Sequence, residues 1–216
     1  MRKLAPYKTK RGAIVALDNG GRFYNFLTQA DDGEISPAEL GKAAGVFSSR
    51  QQMFLYLEMA IAELDDQSVT DIFKHLSPAL KNSAKKFRPV HYTPAEATAN
   101  GKPSKSAIVI GTPTYMESCS DFVGFIFIPI STGKTTTMMM VPIIDQYDVY
   151  EVRDRATDQQ FLLAHTKGQK KLEPVETRFG GVIKKLQAKK GKPQKHKVFL
   201  ETLYYTPNPK NRRATI

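Results

Sequence analysis

The chain has 216 residues, 41% hydrophobic and 25% charged, which is enough apolar mass for a packed core and excludes a disordered polyelectrolyte. Its single cysteine, Cys119, excludes an intramolecular disulfide and a cysteine-built zinc centre, and a reducing, cytoplasmic setting is expected. The formal net charge of +11 is uneven: residues 1–105 carry 15 Lys and Arg against 11 Asp and Glu, residues 106–166 carry 3 against 7, and residues 167–216 carry 14 against 3.

The basic opening, with Arg2, Lys3, Lys8, Lys10 and Arg11, leads into GAIVALDNGGRFYNFLT. The apolar run AIVAL is too short for a signal-peptide core. The turn residues DNGG between two apolar runs predict a β-hairpin. In ISPAEL, Ser36 and Glu39 form a capping box around Pro37, so a helix is expected to start there. SSRQQMFLYLEMAIAEL predicts a second helix, apolar nearly all round and therefore buried. A third is expected after Ser68, with Val69, Ile72, Phe73, Leu76 and Leu80 at helical spacing. Residues 1–83 thus form a hairpin plus a helical subdomain.

Residues 84–105 lack periodicity and are rich in Pro, Ala, Thr and Lys, as in a linker. Residues 106–216 change to β texture, with strand candidates SAIVIGTPTYM, DFVGFIFIPI, TTTMMMVPIID, DVYEVRD, QQFLLAHT and KVFLETLYYT. Within this part LEPVETRFGGVIKKLQAKK sets Leu172, Val175, Phe179, Val182, Ile183 and Leu186 on one helical arc, weakened by Gly180 and Gly181. The expected fold class is α+β: an N-terminal β-hairpin and helical cluster, then a C-terminal antiparallel β-barrel or sandwich-like domain with one helix.

Three motifs invite a sharper assignment. ISTGKTTT at 130–137 resembles a phosphate-binding loop, yet the leading Gly is replaced by Ile128 and strand formers follow Lys134, so a hairpin turn is expected. TQADDGEISPAE can be laid on a calcium loop, with Asp32, Gly33, Ser36 and Glu39 in register, but Thr28 and Ala30 occupy two required carboxylate places. AELGKAAGVFSSRQQMFLYL has the spacing of a helix-turn-helix, but its second helix is too apolar to lie in a major groove.

Catalytic signals are thin. His75, His91, His165 and His196 are not at metal-ligand spacing, Cys119 lies between Glu117 and Asp121, and the acidic run Asp145, Asp148, Glu151, Asp154 and Asp158 reads as a strand edge as readily as a metal site. No catalytic residue, metal or cofactor is assigned, and a non-enzymatic protein is expected.

The strongest feature is the basic C-terminal region: Lys184, Lys185, Lys189, Lys190, Lys192, Lys195 and Lys197, then Arg212 and Arg213. Such density suits phosphate neutralisation, with Tyr204 or Tyr205 available to stack on a base and Lys134 extending the surface. The expected function is single-strand or low-specificity binding of DNA or RNA in the cytoplasm, without membrane association. The alternative is a protein-interaction or assembly module docking on an acidic partner.

Overall fold

The computed structural model describes residues 1–18, 32–46, 48–116, 124–132, 135–154, 156–168, 170–187 and 196–207, with backbone alone at 129–132 and 135. The turn and second strand of the first expected hairpin, the Lys134 turn, the lysine-rich stretch 188–195 and the tail with Arg212 and Arg213 lie outside these residues. The chain divides into two compact units, one of Lys3–Val90 and one of His91–Asn208, with the short termini distributed between them.

After a two-residue strand β1 (Arg2–Lys3), the first unit is helical: α1 (Lys10–Asp18), α2 (Pro37–Ala44), α3 (Arg50–Ala60), α4 (Asp66–His75) and α5 (Pro78–Phe87). Residues 10–18 are therefore a helix, not the first strand of the expected hairpin. Thr9 begins it, accepting Gly12 N–H on its hydroxyl at 3.1 Å and Ala13 N–H on its carbonyl at 3.0 Å. Ala13 and Leu17, four apart, then share the buried face.

Helix α2 carries the expected capping box: Ser36 accepts Glu39 N–H and Glu39 accepts Ser36 N–H at 2.7 Å. It ends at Gly45, whose φ of 71° is the left-handed conformation that favours glycine at a helix end. Helix α3 buries every residue from Met53 to Ala60, so it has no free face with which to read a major groove. Glu39, the twelfth position of the calcium-loop pattern, is buried and occupied by its cap.

The third expected helix is two. Asp65, three residues before Ser68, caps α4, and Ser77 caps α5. Pro78 lacks an N–H and pushes Ser77 to extended backbone, which ends α4 and places Leu80 in α5.

The second unit starts with residues that read as a linker. The stretch 84–105 instead holds the end of α5, then β2 (Val90–Tyr92) and α6 (Pro94–Asn100). A second capping box, Thr93 with Glu96 around Pro94, starts α6. The remaining elements are β3 (Ser106–Gly111), β4 (Pro113–Tyr115), β5 (Phe125–Thr132), β6 (Thr135–Pro142), α7 (Ile143–Gln146), β7 (Tyr147–Arg153), β8 (Gln160–Thr166), β9 (Thr177–Lys185) and β10 (Val198–Pro207). The fold is mixed α+β.

Its main sheet has the order β2-β3-β9-β10-β8-β7-β4, with β1 beside β10, while β5 and β6 form a separate two-stranded sheet. The pairs β3–β9, β9–β10, β7–β8 and β4–β7 are antiparallel, but β8 and β10 are parallel. The chain leaves β8, lays down β9 beyond the place of β10, and returns antiparallel to it, so β10 runs with β8. The sheet is thus mixed rather than antiparallel throughout, and among the described residues no pairing joins β2 to β4 to close a barrel.

The main correction is β9: residues 177–185 are a strand, not the helix expected there. Phe179 and Ile183 are four apart, a spacing that shares a face in a strand as well as in a helix. Long-range pairing decides between the two, because β9 lies between β3 and β10 with both of its edges bonded. Glycine, poor in a helix, serves here as the only residue whose backbone allows β10 this close: a Cβ on Gly181 would collide with the Glu201 carbonyl.

Both faces of the sheet are covered. Ala97 of α6 packs with Val109, Tyr150, Phe161, Phe179 and Leu200 on one face. Ile143 of α7 packs with Val149, Leu162, Leu186 and Phe199 on the other. The second face carries the candidate site.

Candidate nucleic-acid interface

Strands β5 and β6 form the hairpin expected around ISTGKTTT: Thr132 pairs with Thr135, and the residues after Lys134 are strand. With no helix following, the helix N-terminus that a phosphate loop needs is missing. The hairpin joins the main sheet at its base, where Phe125 and Gln187 exchange N–H···O bonds of 2.9 and 3.1 Å. Beyond that bridge no strand pairing joins the two sheets among the described residues, and a groove of about 360 Å³ opens between them.

The groove has three chemistries. Ile126, Phe127 and Ile128 of β5 and Phe199 of β10 give it apolar walls. Phe199 is fully buried and closes the floor, whereas Phe127 is 44% exposed. Gln146, Tyr147 and Thr166 add hydrogen-bonding groups, and Lys184 and Lys185 supply positive charge.

Three groups fix the basic side. Tyr147 O–H donates to Glu201 at 2.8 Å, and Lys184 Nζ lies 3.3 Å from the other oxygen of the same carboxylate. Burial, then the bond to Glu201, pushes the Tyr147 phenol well above its ordinary value, so it stays a neutral donor. Tyr147 also packs edge-on to Phe199 at 5.9 Å between centroids. Glu201 thereby neutralises Lys184, which lies opposite Phe199 in the register; Lys185, the next residue of β9, is exposed and lies opposite Val198.

Among the residues named from the sequence, the structure brings Lys184, Lys185 and Lys197 together. Lys185 pairs with Val198, and Leu186 N–H donates to the Lys197 carbonyl at 2.9 Å. The chain between them contains Lys189, Lys190, Lys192 and Lys195, which with Lys134, Arg212 and Arg213 lie outside the described residues. The tyrosines do not fit the stacking role. Tyr204 is 6% exposed, and Tyr205 is half-buried against the core on the α6 face. A bulge between Thr202 and Tyr204 sets which face each occupies. Phe127 alternates along β5 with Ile126, which packs on the Ile143–Phe199 cluster, and is exposed on the other face of the hairpin.

The acidic run is dispersed. Asp148 is buried in the sheet, Asp154 accepts Ala156 and Thr157 N–H at 2.9 and 3.0 Å, and Asp158 pairs with Arg153 at 3.4 Å. No group of three His, Cys, Asp or Glu able to hold a metal occurs among the described residues. Among the same residues no helix is long and apolar enough to cross a membrane.

No family model matches the chain, and no curated protein does. The functional assignment therefore rests on the groove and the charge around it.

Proposed function

We propose that this chain is a cytoplasmic, non-enzymatic nucleic-acid-binding protein that takes single strands with low sequence specificity through its basic C-terminal region. The supporting observation is that Lys184, Lys185 and Lys197 meet at one end of the β9–β10 pair, beside an aromatic-lined groove. Lysines 189, 190, 192 and 195 fall in the connection between those strands. Clustered lysines release counterions from a polyanion, a sequence-independent gain in affinity. Filter binding to single- and double-stranded DNA and RNA between about 50 and 200 mM salt tests this. Binding with a slope of roughly −0.7 per neutralised phosphate is expected on single strands; no binding at low salt, or binding without a slope, rejects it.

A second assignment is a protein-interaction module for an acidic partner: Met138, Met139 and Met140, exposed at 61, 45 and 47% on β6, support an apolar contact surface, and the lysines account for the partner's charge. It requires a defined protein that co-purifies with the chain after nuclease treatment and is released by salt.

A further inference from the structure

We infer that two copies of this chain pair through the outer edge of β6, the two strands running antiparallel about a two-fold axis at Met138. The inference goes beyond the nucleic-acid assignment and stands without it. It starts from the direction in which the hairpin's backbone groups point. Phe125 exchanges both of its backbone bonds with Gln187. The N–H and C=O of one strand residue leave by the same edge, so those of Phe125 point away from β6. Phe125 and Pro142 are therefore opposed without hydrogen bonds, which suits a proline, and the alternation continues from there. Ile126–Val141, Ile128–Met139, Ile130–Thr137 and Thr132–Thr135 become the bonded pairs. Thr136, Met138 and Met140 are left with N–H and C=O on the outer edge, where no hydrogen bond reaches them among the described residues.

The two edges of the hairpin are unlike. On β5 the outer edge is closed at Phe125 by Gln187 and interrupted at Pro129, which has no N–H. On β6 the segment from Thr135 to Val141 contains no charge and no proline, and every residue from Thr136 to Met140 is exposed. Such an unguarded edge is a template for another strand. A second β6 completes it in a single register. With Met138 opposite its own counterpart, Thr136 of each copy falls opposite Met140 of the other, and every outward group of these residues is bonded. Moving the axis to Thr137 sets Met140 opposite the turn, and moving it to Met139 sets Thr136 opposite Pro142. Side chains agree with this register. Opposed strand residues share a face, so Met138 and Met140 lie with Phe127 on the side of the hairpin away from Ile126. Their exposed surfaces, 61, 47 and 44%, become continuous across four strands. Charge also selects this contact. Each copy carries +11, yet β6 carries none of it, and antiparallel pairing sends the two hairpin bases, with Lys184 in the groove beside Ile126, to opposite ends.

Sedimentation velocity of the nuclease-treated full chain tests the pairing. A contact of five residues a side, against roughly 20–30 in a standard interface, is expected to dissociate between about 1 µM and 1 mM. Added salt should tighten it by screening the repulsion between the copies, the reverse of polynucleotide binding. Met138→Pro removes an outward N–H without touching a β5–β6 bond, and is expected to stay monomeric with unchanged circular dichroism. Met138→Lys sets like charges face to face and is expected to weaken the dimer by up to about 5-fold, more at low salt than at high. Monomer at every concentration overturns the pairing, as does a dimer that forms equally well with Met138→Pro. Where Met138→Pro loses its fold, an unchanged dissociation constant for Met138→Lys overturns it instead. A monomeric wild type that loses a co-purifying protein on Met138→Pro substitution assigns the edge to a partner's strand and overturns the second copy.

Discussion

Gly181→Ala gives opposite results for the two conformations that its segment could adopt. In a helix, replacing an interior glycine with alanine stabilises by about 1 kcal/mol. In β9 the added Cβ would lie 2.9 Å from the Glu201 carbonyl carbon and 3.0 Å from Leu200 Cγ, and closer still to the Glu201 carbonyl oxygen. These are atoms of β10, whose ladder to β9 holds them in place from Val198 to Pro207. Relief requires the strands to part at the Gly181–Thr202 position, an overpacking cost of about 1–3 kcal/mol. For an m-value of about 2 kcal/mol per M, the urea midpoint falls by roughly 0.5–1.5 M. The chain has nine Tyr and no Trp, and the buried Tyr150 and Tyr204 both lie in the sheet, so near-UV tyrosine circular dichroism reports its unfolding. A midpoint that rises would refute the strand and restore the helix.

Two further outcomes are expected. Glu201→Gln keeps an acceptor for Tyr147 but releases Lys184, so it should raise single-strand affinity and steepen the salt slope by about 0.7; an unchanged slope in anisotropy titrations would show that Lys184 takes no part. His165 is buried opposite Asp148 and stacked on Tyr150 at 5.5 Å, its Nδ1 3.1 Å from the Thr166 carbonyl and its Nε2 without a hydrogen-bond partner among the described residues. Burial lowers its pKa below 6.5, against the opposing pull of the Thr166 carbonyl and Asp148. The unfolded chain then binds the proton more readily, so stability should fall as pH drops through 6.5 and level off below the folded value. Urea midpoints at pH 7.5 and 5.5 should differ more in the wild type than in His165→Phe, and equal differences would exclude His165 as the cause.

Part of this molecule is written locally. Ser36-Pro37 with Glu39 starts α2 on the residues expected, because a capping box is closed by groups three residues apart. The same chemistry in Thr93, Pro94 and Glu96 was present in the sequence, and the Pro- and Ala-rich composition around it hid α6. The apolar, β-branched runs of β3, β5, β6, β7, β8 and β10 were legible for a related reason: strand-forming residues bounded by turn residues leave few alternatives. The excess of lysine after residue 183 was likewise readable, because charge is a property of composition.

The sequence by itself determined the α+β class, most of the strands and the place of the basic region. Tertiary structure decided β9, since Phe179 and Ile183 satisfy both periods and only pairing with β3 and β10 selects the strand. It also decided the site. Tyr204 and Tyr205 turn into the protein according to a bulge that no local signal marks, while Phe127 is left exposed because the neighbouring Ile126 takes the face of β5 that packs on the sheet. Lys184 and Glu201, 17 positions apart, meet through the β9–β10 register, an ion pair that no local pattern in the sequence announces.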